Sequence, residues 1–278
     1  MSGDDQENEQ SRRSTEIPAG YPRAQAEIAT RRRRSPNAPP AGRAAFAVQT
    51  GTTIADTVHR RLRQDIVSMK LVPGTPISEK EVALEEKVSR TPVREAILRL
   101  AEERLVEVVP KSGTFVARIP MSALPEAIVA RRALEGVTVR AAAQHANRSQ
   151  VTELVSLVQR QEEAAERGDP VAFHRADEDF HAAIARIGRY PGIWDLIQQV
   201  KVQIDRYRRL TLPQEGRMDM VAGEHLAVVR AIEAGDADLA VARMEEHLDK
   251  LQLDISVFLD MWPDYFVHDL PFDERLLA

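Results

Sequence analysis

The chain has 278 residues, no cysteine and a formal net charge of −5, with 43% hydrophobic but only 5% aromatic residues. That length has room for two domains and a sizeable core. The lack of cysteine excludes disulfides and thiolate-held metals. No apolar run has the length of a membrane span and no signal-peptide core is visible, so a cytoplasmic protein without membrane contact is expected.

Residues 1–50 start acidic and become rich in Arg, Pro and Ala, with the run Arg31-Arg32-Arg33-Arg34. They show no apolar period and are expected to be a disordered Arg/Pro-rich tail. Charge is uneven along the rest. Residues 51–118 carry twelve basic and ten acidic side chains, whereas 119–278 carry eighteen basic and twenty-seven acidic. DNA phosphates would repel the acidic part and so aim the other part at them.

Over 52–69, Ile54, Val58, Leu62, Ile66 and Met69 share one helical face, and Pro73-Gly74 turns the chain. Ser78 and Glu81 form a capping box that starts a short helix, with Ala83 and Leu84 as its buried face. Ser89-Arg90-Thr91-Pro92 opens another, with two candidate N-caps and a proline tolerated in the first turn. Its apolar face is Val93, Ile97 and Leu100, and Arg90, Arg94 and Arg99 lie off it. Leu105 to Val109 reads as a strand, Pro110 to Gly113 as a turn, and Thr114 to Val116 as the return strand.

A capped basic helix after a turn suits a DNA major groove. Its first N–H groups can take a phosphate, and its arginines can reach phosphates or guanine edges. The expected DNA-binding set is Lys80, Ser89, Arg90, Thr91 and Arg94, with Lys111, Ser112 and Gly113 at the tip of a wing. An ordinary helical hairpin with a solvated basic face fits the same pattern. SRTPVREAILRL followed by RLVEVVPKSGTFV resembles the winged-helix domain of the GntR family of bacterial transcription regulators. The helix at 52–69 and its Pro-Gly turn match that domain too. Arg104 stands where the family usually has Gly, and a positive φ there would strain it.

From Met121 onward the pattern is helical, with expected helices at 122–146, 150–167, 171–187, 191–211, 218–234 and 237–260. Short breaks between them suggest an antiparallel bundle. Six helices behind such a head resemble the FCD effector domain of the FadR subfamily in its shorter, VanR-like form. The resulting fold is mainly α: a winged helix-turn-helix at 51–119, an all-α effector-binding and dimerisation domain at 120–262, and a tail at 263–278. Tyr265, Phe266, Leu270 and Phe272 of that tail are expected to pack back on the bundle or on a partner chain.

Asp177 and His181 are four apart and share a helical face. His225 is ten residues before Gly235 and His247 eleven after Asp236, so the arms of a helical hairpin bring both to one height. One carboxylate and three imidazoles suit Zn²⁺ first, Ni²⁺ or another first-row ion second, and Ca²⁺ or Mg²⁺ poorly. Singly, each histidine is equally at home in a core or on a surface. Together, D-x-x-F-H, then E-H, then M-x-x-H-L resemble the metal-binding FCD pattern, intact at Asp177–His181, Glu224-His225 and Met244–Leu248. The resemblance also implies that Arg131, in R-x-x-L-E with Glu135, pairs an effector carboxylate, and a surface Arg beside Arg132 fits the same residues. Arg206, Arg208 and Arg209 form a further basic cluster, and His174 is placed either lining the cavity or on the surface. Gly188-Arg189-Tyr190-Pro191 departs from the family's S-G-N-P, which leaves the effector's identity open.

The expected function is a homodimeric regulator, a repressor, bound to a pseudo-palindromic operator in double-stranded DNA and controlled by a small carboxylate at the metal. A metal sensor and a helical metalloenzyme are the alternatives. No general base beside the site is evident in the sequence, which speaks against the enzyme.

Overall fold

The computed structural model describes residues 53–253 and 261–269. The tail at 1–50, and Leu270 and Phe272, lie outside them. Helix α1 (Ile54–Val67) opens on a full capping box between Thr53 and Asp56. Val58, Leu62 and Ile66 are buried as their spacing predicts, but Ile54 at the helix start is exposed. Met69 falls beyond the helix, at φ 60°.

Strand β1 (Pro76–Ile77), unforeseen in the sequence, precedes α2 (Glu79–Glu85) and α3 (Arg90–Glu102). Ser78 Oγ accepts the Glu81 N–H and caps α2. The buried pair of α2 is Val82 and Ala83, while Leu84 is 77% exposed. Strands β2 (Val106–Val109) and β3 (Gly113–Val116) form the wing hairpin, and β1 adds antiparallel to β3, giving the order β1-β3-β2. Val93, Ile97 and Leu100 of α3 close the head's core against α1. Arg104 follows α3 at φ 55°, the left-handed conformation its place in the motif demands.

The bundle holds α4 (Ala123–His145), α5 (Arg148–Glu166), α6 (Pro170–Ile187), α7 (Pro191–Val200), α8 (Val202–Thr211), α9 (Arg217–Glu233) and α10 (Ala237–Leu253). The single helix expected over 191–211 is therefore two. It breaks at Lys201, whose ammonium turns inward to Glu178 and Asp205 at 2.8 and 2.5 Å. Gly188 ends α6 against α4, where an added Cβ would stand 2.6 Å from the Thr138 carbonyl oxygen. Arg189 follows at φ 68°, at the place where S-G-N-P has Gly, a residue that adopts this region without cost.

The chain between head and bundle is tied down. Strand β4 (Ile119–Pro120) pairs in parallel with β5 (Phe266–Val267) from the C-terminal segment. Phe266 is buried in the bundle core beside Tyr207, as the expectation for the tail required. Asp269 accepts both the N–H and the hydroxyl of Ser122 at the start of α4. Among the described residues no helix is long and apolar enough to cross a membrane.

Candidate nucleic-acid interface and candidate metal centre

Lys80, Ser89, Arg90, Thr91, Arg94, Lys111, Ser112 and Gly113 are all exposed on the head. Ser89 is the N-cap residue of α3, yet its hydroxyl makes no cap hydrogen bond. The first N–H groups of α3 therefore lack a side-chain acceptor, the condition in which a helix start takes an anion. Lys80, Arg90, Arg94 and Lys111 form no ion pair among the described residues, in contrast to Arg99, which holds Asp56 of α1 at 2.7 Å. The sequence groups Arg99 with Arg90 and Arg94, but its contact braces the head. The Arg99 guanidinium is also the main reason the Asp56 carboxyl lies well below the usual carboxylate range.

Inside the bundle, α6 turns Phe173, His174, Asp177, Phe180 and His181 inward behind a cap in which Asp169 accepts the N–H groups of Val171 and Ala172. His181 meets His225 from α9 and His247 from α10, and one nitrogen of each lies within 4.8 Å of the others. Each ring is held from behind. His225 Nδ1 lies 2.7 Å from Gln161 Oε1, His247 Nδ1 lies 2.7 Å from Glu224 Oε2, and His181 Nδ1 abuts Glu135 Oε2. Gln161 and Glu224 accept, so the Nδ1 of His225 and of His247 carries the proton of a neutral ring and its Nε2 is a lone pair. The Nε2 atoms of His225 and His247 face each other at 3.2 Å, and His181 Nε2 has no hydrogen-bond partner. Burial holds His225 and His247 below the ordinary histidine range, which keeps the lone pairs available.

Asp177, the fourth expected ligand, has Oδ1 3.7 Å from His225 Nε2. Both of its oxygens are engaged by Arg208 of α8, at 2.5 and 2.6 Å. Burial opposes the charged carboxylate, and the Arg208 guanidinium outweighs it, leaving Asp177 well below the usual range. Two acceptors facing at 3.2 Å, a third without a partner and a carboxylate alongside form a donor set suited to a cation, and nitrogen-rich sets of this kind fit a first-row divalent ion.

Arg131 is buried, and its Nε and Nη2 both reach Glu135 Oε1 at 2.6 Å. Burial raises the Glu135 carboxyl, but Arg131 and then His181 bring it down to about 2. Arg131 thus sits behind His181 through Glu135. Arg208 reaches the site, whereas Arg206, on the other side of α8, donates to the Ala117 carbonyl at 2.5 Å. His174 is buried beside Arg208, and burial, then that charge, pushes its pKa down to about 3. Gln161 was missed in the sequence, although a polar residue on the apolar stripe Leu154, Leu157, Val158 and Ala164 marks it.

Comparison with known proteins bears on both sites. The family model for the bacterial regulatory proteins of the gntR family matches residues 54–116, and the model for the FCD domain matches residues 126–250. The chain is similar to the HTH-type transcriptional repressor RspR of Escherichia coli K12, 32% identical over 209 residues, which are 75% of this chain and 92% of that one. It is also similar to the Uxu operon regulator of Haemophilus influenzae, 27% identical over 239 residues, 78% of this chain and 86% of that one. Among solved structures, Escherichia coli McbR/YncC superposes with a TM-score of 0.63 at 23% identity, over 76% of this chain and all of that one, a likeness of fold.

Proposed function

Because this chain belongs to the GntR family of bacterial transcription regulators, with an FCD domain behind its winged-helix head, we propose that the FCD domain senses a small carboxylate at a metal centre and sets the head's affinity for its operator. The chain is a DNA-binding transcription regulator, and its relatives are regulators rather than enzymes. The observation that carries the finer reading is the inward convergence of three imidazole nitrogens, each ring backed by its own polar partner.

On this reading His181, His225, His247 and Asp177 hold one divalent ion, zinc first and nickel second. The ion supplies positive charge and open coordination positions. An acid with an adjacent hydroxyl or keto oxygen suits two such positions as a chelate. Glu135, fixed by Arg131, and Glu224 and Gln161 keep the rings aimed inward. Arg131, expected to pair the effector carboxylate, holds Glu135 with its Nε and Nη2 and backs His181 through it.

Repression is proposed because the Escherichia coli relative is named a repressor. Homodimer formation is supported by exposed apolar side chains on the bundle. Val129 and Val137 of α4 are 65% and 49% exposed, and Leu196 of the adjoining α7 is 49% exposed. A second copy covering them would pair two heads on a pseudo-palindromic operator.

The path from site to head runs through α8. Arg208 and Arg206 are two residues apart, so they leave the helix on opposite sides. Arg208 holds Asp177, Arg206 holds Ala117 just before β4, and Val202 packs into the head's core. A ligand shifts such an arrangement only by its differential affinity for the two states. The test is an operator selected from random-sequence DNA, followed by titration of zinc-loaded protein with a panel of 2-hydroxy and 2-keto acids, with and without that operator. The acid that weakens operator binding should itself bind more weakly in the operator's presence, by the same factor, worth about 1–3 kcal/mol. Equal affinities for every acid with and without DNA exclude regulation through this site.

A further inference from the structure

The His-lined centre is enclosed, with His181, His225 and His247 at most 3% exposed. A cation therefore needs a route to it. Two surface grooves come close. One, of about 250 Å³, lies between α9 and α10 and has Gly223, Glu224, Ala227, Arg243, His247 and Lys250 in its walls. The other, of about 580 Å³, lies among α5, α6 and α7 and includes Gly192 and Trp194. The Trp194 ring lies parallel to His181 with centroids 6.3 Å apart, so it covers that histidine from the second groove.

Of the two, only the α9–α10 groove has a ring of the triad in its own wall. A continuous chain of contacts leads inward from it. Lys250 Nζ lies 2.9 Å from Glu224 Oε1, Glu224 Oε2 lies 2.7 Å from His247 Nδ1, and His247 Nε2 lies 3.2 Å from His225 Nε2. Glu224 is only partly buried, so one carboxylate touches both the groove and the ring. The groove floor is open in mid-helix: a Cβ on Gly223 would meet no atom within 4 Å. Glycine disfavours a helix interior, and here no close packing calls for it.

We propose that the groove between α9 and α10 is the entry portal for the divalent cation, with Glu224 as the first ligand it meets and His247 as the ring that carries it inward. The proposal rests on the metal reading above. Lys250 is a hydrated point charge on a flexible stem, partly exposed, and a divalent cation competes with it for Glu224 at small cost. Once Glu224 turns to the cation, His247 Nδ1 is released and the ring is free to rotate toward the space beside Gly223 and Ala227. Its return brings the cation to His225 and His181 and restores the Glu224 contact. Glu224 therefore acts twice, as entry ligand and as the group that locks the loaded ring.

The portal makes a kinetic prediction. Metal-free full-length protein is mixed with Co²⁺, whose visible absorption reports uptake, and the loaded protein is then mixed with excess EDTA to follow loss. Gly223→Leu and Ala227→Leu fill the groove, and the first improves helix propensity. Both should exchange Co²⁺ about tenfold or more slowly in each direction with the affinity unchanged, the signature of a raised barrier between unaltered end states. Gly192→Leu, which fills the other groove at a site equally free of neighbours, should exchange at the wild-type rate. Wild-type rates in both α9 variants, with Co²⁺ still bound, overturn the portal and leave the metal site standing. Slowing confined to Gly192→Leu moves the route to the Trp194 side and overturns it as well. A wild-type chain that takes up no Co²⁺ removes the metal reading and the portal together.

Discussion

Arg208 donates its two terminal nitrogens to the two oxygens of Asp177, at 2.5 and 2.6 Å, across 31 residues of sequence and with both side chains buried. The pair joins α8 to α6 at the edge of the His-lined centre. Buried pairs of this geometry are balanced by each other, and removing one partner strands the other. Arg208→Ala should therefore destabilise the metal-free protein by about 3–5 kcal/mol. Asp177→Asn together with Arg208→Gln, which removes both charges of the pair, should recover much of that loss. Urea denaturation of the three proteins checks it, and equal stability of wild type and Arg208→Ala would show the pair to be energetically silent.

The head makes a separable prediction. Arg94→Ala should weaken binding to the selected operator by about 1–3 kcal/mol and relax base preference at one position, as expected for a side chain that reads a guanine edge. Lys111→Ala should weaken all sequences alike and lower the slope of log affinity against log salt by about one, as expected for a phosphate contact. Fluorescence anisotropy across a salt series distinguishes the two. An operator complex indifferent to Arg90→Ala and Arg94→Ala together would sink the assignment of α3 as the reading helix.

The buried histidines set a pH dependence with a definite sign. His225, His247 and His174 are all held below the ordinary value of 6.5, the last at about 3. A depressed pKa means that the unfolded chain takes up the proton first. Their contribution to stability is thus complete above pH 6.5 and is lost as pH falls below it. Each such histidine adds a slope of up to about 1.4 kcal/mol per pH unit to the metal-free protein. Metal occupancy should fall over the same range, because protons and the cation compete for the same lone pairs. Denaturation midpoints measured from pH 8 to pH 5 check the sign, and a flat profile contradicts it.

Arg104, at φ 55°, occupies a conformation that glycine adopts without cost. Arg104→Gly should stabilise the head by about 0.5–1 kcal/mol, with DNA affinity unchanged. This position was legible in the sequence because a local motif fixed the backbone there. Periodicity also located α1, α3 and the wing, and hairpin geometry about Gly235 brought His225 and His247 together. What escaped the sequence depended on partners far along the chain. The short strand β1 exists only because β3 offers it an edge. The break at Lys201 coincides with an ammonium contact to Glu178, and the pull of Asp177 on Arg208 has no local signature. Gln161 and Glu135 became site residues only once three helices had placed a histidine in front of each.

Metal content of the purified protein tests the central claim most directly. After dialysis against zinc and removal of the excess, elemental analysis should find about one zinc per chain in the wild type, and almost none in the His225→Ala/His247→Ala double variant, which lacks two of the three imidazoles. Equal zinc in the two proteins, or none in either, contradicts the assignment of His181, His225, His247 and Asp177 as a metal centre.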